Sequence, residues 1–159
     1  EDVAGMLGNA LWLSADYVLD VGRPSLGVSR RLGLAKSPEA HRLKILDGRT
    51  YLPVEIDGRT FDFLLATASS ATRVTQEVID ELRPVNYDYV ELEITTKDST
   101  EYKRFPALHA KVQVGHVQIP QFTFLVGNEN VIGLNLLRYG ELSLSARDGV
   151  FIFRGRERL

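Results

Sequence analysis

Few residues of this chain are equipped for chemistry, and their spacing excludes more than it offers. There are no cysteines, so neither a thiolate nucleophile nor a disulfide is available. The histidines are His41, His109 and His116. His41 falls in a basic connecting stretch. His109 and His116 flank one predicted strand at an odd separation, which puts them on opposite faces and argues against a shared metal site. Structural or exposed roles are expected for all of them, with no metal and no cofactor. Ser69 and Ser70 carry hydroxyls, but no Gly-x-Ser-x-Gly elbow surrounds them. No glycine-rich phosphate cradle occurs either. What remains is Phe61-Asp62-Phe63-Leu64-Leu65-Ala66-Thr67-Ala68-Ser69-Ser70, where large apolar residues stop abruptly at small, hydroxyl-bearing ones. That is the pattern of a buried strand running into a tight turn.

Taken alone, this segment is a core strand. Its neighbours give it a context. Tyr51-Leu52-Pro53-Val54-Glu55-Ile56 alternates and closes on the hairpin signal Asp57-Gly58. Further on comes Val131-Ile132-Gly133-Leu134-Asn135-Leu136-Leu137. Together the three pieces resemble one lobe of a retropepsin-like (clan AA) aspartic peptidase, over roughly residues 43–155. In that family such a hairpin delivers a loop reading Leu-Leu-Asp-Thr-Gly-Ala-Ser, and a later apolar-apolar-Gly packs across it. Here Leu64-Leu65-Ala66-Thr67-Ala68-Ser69-Ser70 stands in the first place and Val131-Ile132-Gly133 in the second. The glycine position holds Ala68, which the family tolerates. The acid position holds Ala66, which removes the chemistry.

The resemblance implies an all-β fold, a closed barrel lobe with one or two short helices. It implies an aspartic-type endopeptidase that activates water between two aspartates, one from each lobe. Like charges so close cannot both ionise, so their apparent pKa values separate. One lobe carries one aspartate, so a homodimer or a tandem second lobe is required. The catalytic positions are Ala66, Thr67 and Ala68, with Thr67 bracing the loop by a hydroxyl hydrogen bond across the dyad to the other lobe. The substrate is a peptide or protein. Its contacts come from Ser69 and from a flap whose tip is Thr95, Thr96, Lys97, Asp98 and Ser99, although a plain exposed loop would read the same way. With Ala66 the site is inactive as written, and an Asp-to-Ala variant is the first reading. The alternative is a natural pseudopeptidase that binds peptides or dimerises. A generic β-barrel interaction domain is a third.

The elements that would position these residues follow from the rest of the chain. Its 159 residues suffice for one ordinary domain, and 44% hydrophobic with 25% charged content is globular. A net charge of −2 suggests neither nucleic acid nor an anionic membrane as partner. No stretch approaches the ~20 apolar residues of a membrane helix. A soluble protein is expected; a Cys-free chain leaves its compartment open, with an extracytoplasmic (periplasmic) site slightly favoured. The start lacks a signal region and an initiator Met, and suggests a mature or trimmed fragment.

Residues 6–20 align without a gap onto 131–145, Gly8 meeting Gly133 and Leu19 meeting Leu144. Residues 1–30 therefore read as the tail (apolar-apolar-Gly, short helix, strand) of a preceding peptidase-like repeat, against chance similarity of two helix–strand units. Residues 31–42 read as a solvated linker, or alternatively a basic arm. The lobe itself spans 43–159. Within it, strands are expected at 43–46, 50–56, 60–65, 87–95, 101–108, 109–114, 117–119, 122–126, 141–144 and 150–153. A short helix starts at Thr75 and is stopped by Pro84.

Overall fold

The computed structural model describes residues 13–83 and 87–156. The segment Met6 to Trp12, which opens the internal repeat, and the expected helix stop Pro84 lie outside the described residues. The fold is all-β: thirteen strands in two sheets, with two short α-helices and one 3-10 turn among the described residues. No helix among them is long and apolar enough to cross a membrane.

The larger sheet begins with β4 (Lys44–Leu46), β5 (Arg49–Ile56) and β6 (Arg59–Leu65). Alternation makes β5: Leu52, Val54 and Ile56 are buried, and the residues between them are not. Its two hairpins turn on Asp47-Gly48 and Asp57-Gly58, all four residues at positive φ, as primed two-residue turns require. Pro53 is tolerated because β5 pairs only with β6 at that point, so no second ladder needs its missing N–H. Beyond β6 the order continues through β11 (Val131–Ile132), β7 (Arg73–Val74), β10 (Val117–Val126), β9 (Thr100–Val114) and β8 (Tyr87–Thr95). A further pairing of β5 with β9, Glu55 opposite Gln113 and Ile56 opposite Val112, returns the ladder onto itself. Phe63, Leu108 and Phe124 fill the interior.

Two expectations need correction. The strands expected at 101–108 and 109–114 are one continuous strand, β9, because His109 pairs with Thr123 without a break. Likewise 117–119 and 122–126 are one strand, β10, with a bulge between Ile119 and Phe122 where Pro120 interrupts the ladder. Helix α1 (Gln76–Leu82) has Thr75 at its N-cap, without a side-chain cap bond, and ends at Arg83 in the left-handed region, φ 49°.

The smaller sheet runs β2 (Ser25–Ser29), β1 (Asp16–Asp20), β12 (Gly140–Ser145), β13 (Val150–Gly155), β3 (His41–Arg42). The stretch expected as a solvated linker is therefore packed in part. Its Leu34, in the 3-10 turn Leu34–Lys36, is buried against Val150 and Ile152, and His41–Arg42 pairs with β13.

The two hairpins of this sheet share one register. Asp16 pairs with Ser29 and Asp20 with Ser25; 125 positions on, Glu141 pairs with Arg154 and Ser145 with Val150. The turns are secured alike. Asp20 Oδ1 accepts from Arg23 N at 3.0 Å, and at the equivalent positions Ser145 Oγ accepts from Asp148 N at 3.2 Å. Between the hairpins, β1 pairs with β12 so that Val18 faces Ser143, its own equivalent. Asp20 also accepts from Gly22 N and pairs with Arg156. The Arg23 N–H first, and the Arg156 charge after it, hold its carboxyl below the ordinary aspartate value.

Candidate functional site

The Ala66 loop hangs from β6 and is held by the chain that crosses beside it. Strand β11 runs parallel to the end of β6, Val131 beside Leu64 and Ile132 beside Leu65. Leu64 N donates to Asn130 O (2.9 Å) and Ala66 N to Ile132 O (3.1 Å), while Ser69 N closes the turn on Ala66 O (3.0 Å). The chain then enters α2 (Leu134–Leu137), where Leu134 N donates to Ser69 O at 2.8 Å and Asn135 N to Ser70 O at 3.1 Å. The crossing is tight: a Cβ on Gly133 would lie 2.4 Å from the carbonyl carbon of Ala71. Glycine is needed there for space, since its φ of −99° is open to any residue.

Side chains complete the brace. Thr72, fully buried, donates from both its N–H and its hydroxyl to Asn135 Oδ1, each at 2.8 Å. The same hydroxyl accepts from Gly133 N at 3.0 Å. Asn130 Oδ1 accepts from Thr75 N at 2.8 Å, tying the start of α1 to the approach of β11. Among the described residues, no side-chain hydrogen bond joins Thr67 to the loop; within this chain the hydroxyl that braces it belongs to Thr72. Sequence reasoning missed Thr72, Asn130 and Asn135. The available signal was an asparagine on either side of an otherwise apolar Val131-Ile132-Gly133-Leu134.

Ala66, Thr67 and Ser69 are half-buried, and Ala68 and Ser70 are exposed. Ser69 Oγ donates to Ala71 O at 2.8 Å, so its hydroxyl is occupied by the loop itself. Thr95, Thr96, Lys97, Asp98 and Ser99 form the exposed tip of the β8–β9 hairpin, closed by Thr96 N donating to Ser99 O at 2.8 Å. Lower down the same hairpin, Leu92 and Phe105 line an open cavity of about 620 Å³, with Ser70, Ala71, Leu125, Asn128 and Val131 on its other sides. The cavity thus joins the hairpin to the segment after the Ala66 loop, whereas the tip residues and Ser69 do not line it. Of its charged lining residues, Glu129 is paired with Arg49 at 2.8 Å. The other, Arg73, has no ion-pair partner among the described residues, and its stem lies on Gly127.

The three histidines take two separate places, and His109 and His116 do not meet. His109 Nδ1 lies 2.9 Å from Thr123 Oγ1 across the β9–β10 ladder. His41 and His116, far apart in the chain, meet with 3.3 Å between their Nε2 atoms, beside Phe151. Burial, and then the charge of His116, hold His41 below the ordinary histidine value. Among the described residues no group of three or more His, Cys, Asp or Glu could hold a metal ion.

No protein-family model and no curated protein matches this chain.

Proposed function

We propose that this chain carries one lobe of an aspartic-type endopeptidase, with its acid position occupied by Ala66. The observation behind the reading is the Ala66 loop itself. A tight turn at the end of an apolar strand is clamped by a parallel crossing strand, by Gly133 pressed on Ala71, and by the Thr72–Asn135 brace. This is a rigid platform for presenting a side chain at position 66. A carboxylate there, facing its counterpart from a second lobe, would share one proton with it. The ionised member would take a proton from water as the protonated one hydrogen-bonds the scissile carbonyl. An extended peptide would lie between the β8–β9 hairpin and the 127–131 segment, its backbone hydrogen-bonding as an added strand. Leu92, Phe105, Leu125 and Val131 offer it apolar contacts, and Arg73 a positive end.

The methyl group of Ala66 moves no proton, so the chain with this sequence binds without cutting. That alanine also favours a second reading, a natural peptide-binding or dimerisation module without the acid. The codon at position 66 of the source gene separates the two. The functional test is Ala66→Asp, assayed on an unstructured protein between about pH 4 and 7, with cleavage expected towards the acid end, where a carboxylate pair still holds its shared proton. Cleavage blocked by a transition-state-mimicking aspartic peptidase inhibitor supports the peptidase reading. A folded dimer that does not cleave favours the binding module. A monomer that does not cleave, yet cleaves once a second acid-bearing lobe is supplied, keeps the peptidase reading and places the other aspartate on that lobe.

A further inference from the structure

We infer that the face of the small sheet carrying Leu26 and Val28 is the seat of a second barrel, built like the first and preceding the β1–β2 hairpin in the polypeptide. This does not depend on the chemistry proposed for the Ala66 loop. It rests on the register shared by the two hairpins and on a difference in what covers them.

Neighbouring antiparallel strands are related by a two-fold axis normal to the sheet, and side chains directly opposite each other share a face. Here the axis passes through the Val18–Ser143 pair, because each residue is the other's equivalent 125 positions away. The same face therefore carries Tyr17, Leu19, Leu26 and Val28 on one side of the axis. On the other it carries their equivalents Leu142, Leu144, Phe151 and Phe153. The second set is buried in the main core, under the barrel that precedes it in sequence. In the first set the outer strand is bare: Val28 is 57% exposed where its equivalent Phe153 is 1% exposed, and Leu26 is 39% exposed where Phe151 is fully buried. Apolar side chains in a repeated register, covered on both strands in one copy but only on the inner strand in the other, where Tyr17 is buried and Leu19 packs on the main core, specify the missing cover by symmetry. It lies beside the existing barrel on the same face. A second copy of this chain does not satisfy the geometry, since its barrel already sits on its own β12–β13 hairpin.

The chain has no cysteine, so Val28→Cys creates a unique thiol. Its maleimide labelling rate is measured in the 159-residue chain and in the longer polypeptide read from the source gene, with Asp98→Cys at the exposed hairpin tip as reference. The expected result is labelling near the reference rate in the short chain and at least about tenfold slower in the long one. Equal rates in both, or a reading frame with no preceding barrel, overturn the inference. Protection in the short chain that disappears on dilution also overturns it, by giving the seat to a second copy. As an independent readout, Leu26→Lys with Val28→Lys should leave the thermal midpoint of the short chain unchanged and lower that of the long one. A fall in the short chain would show the face already covered, against the inference.

Discussion

The hydroxyl of Thr72 stands between Gly133 and Asn135, accepting from the N–H of the first at 3.0 Å and donating to the side chain of the second at 2.8 Å. This one buried oxygen joins the segment following the Ala66 loop to the strand–helix junction that crosses it. Thr72→Val keeps the shape and removes the oxygen. It leaves the Gly133 N–H without its acceptor and Asn135 Oδ1 with one donor in place of two. The expected cost is about 2–3 kcal/mol in urea unfolding, because a buried polar group loses its partner. Thr72→Ser, which keeps the hydroxyl, should cost about 1 kcal/mol or less. Equal losses for both variants would refute the bridging role.

Gly133→Ala tests the crossing by volume alone. The added methyl meets the backbone of Ala71, which cannot swing aside as a flexible side chain can. A destabilisation of about 3 kcal/mol is expected. Any peptide binding should weaken as well, since Ser70 and Ala71 line the cavity. A fully stable variant would mean that the Ala66 loop is free to move away from its clamp.

The His41–His116 pair makes stability depend on pH. With its value lowered in the folded chain, His41 binds fewer protons folded than unfolded, so stability rises with pH through this range. The contribution is complete above the ordinary histidine value of about 6.5 and is lost as pH falls through the lower folded value. The urea midpoint should therefore fall between about pH 7 and 5, and the fall should be smaller in His116→Gln, where the repelling charge is gone. An unchanged profile in that variant would assign the pH dependence to other groups. Within the same contact region, Glu39 is held by Arg154 at 2.5 Å.

Much of this protein could be read from local pattern. The Asp57-Gly58 turn, the alternation of Leu52, Val54 and Ile56, and the Ala66 loop at the end of an apolar run are all short-range features, and each takes its expected form. The helix beginning after Thr75 is equally local. The strands expected to end at Leu108 and Ile119 run further: β9 continues through His109, which pairs with Thr123, and β10 resumes beyond a bulge at Pro120. At His109 the cross-strand ladder decides the strand's length, and at Pro120 local chemistry bends the strand without ending it.

Residue order alone determined the alternation, the turns, the alanine at position 66, and the recurrence of 6–20 at 131–145. Only the tertiary structure decided that Thr72 braces the loop within this chain, that His41 meets His116, and that Leu34 packs where a solvated linker was expected. It also decided that Val18 and Ser143 lie opposite each other on a local two-fold axis, with Val28 bare where Phe153 is covered. The reason is physical. Alternation and turn chemistry act over a few residues, whereas these contacts join positions many tens of residues apart. They are selected only when whole sheets settle on one register and bury one face.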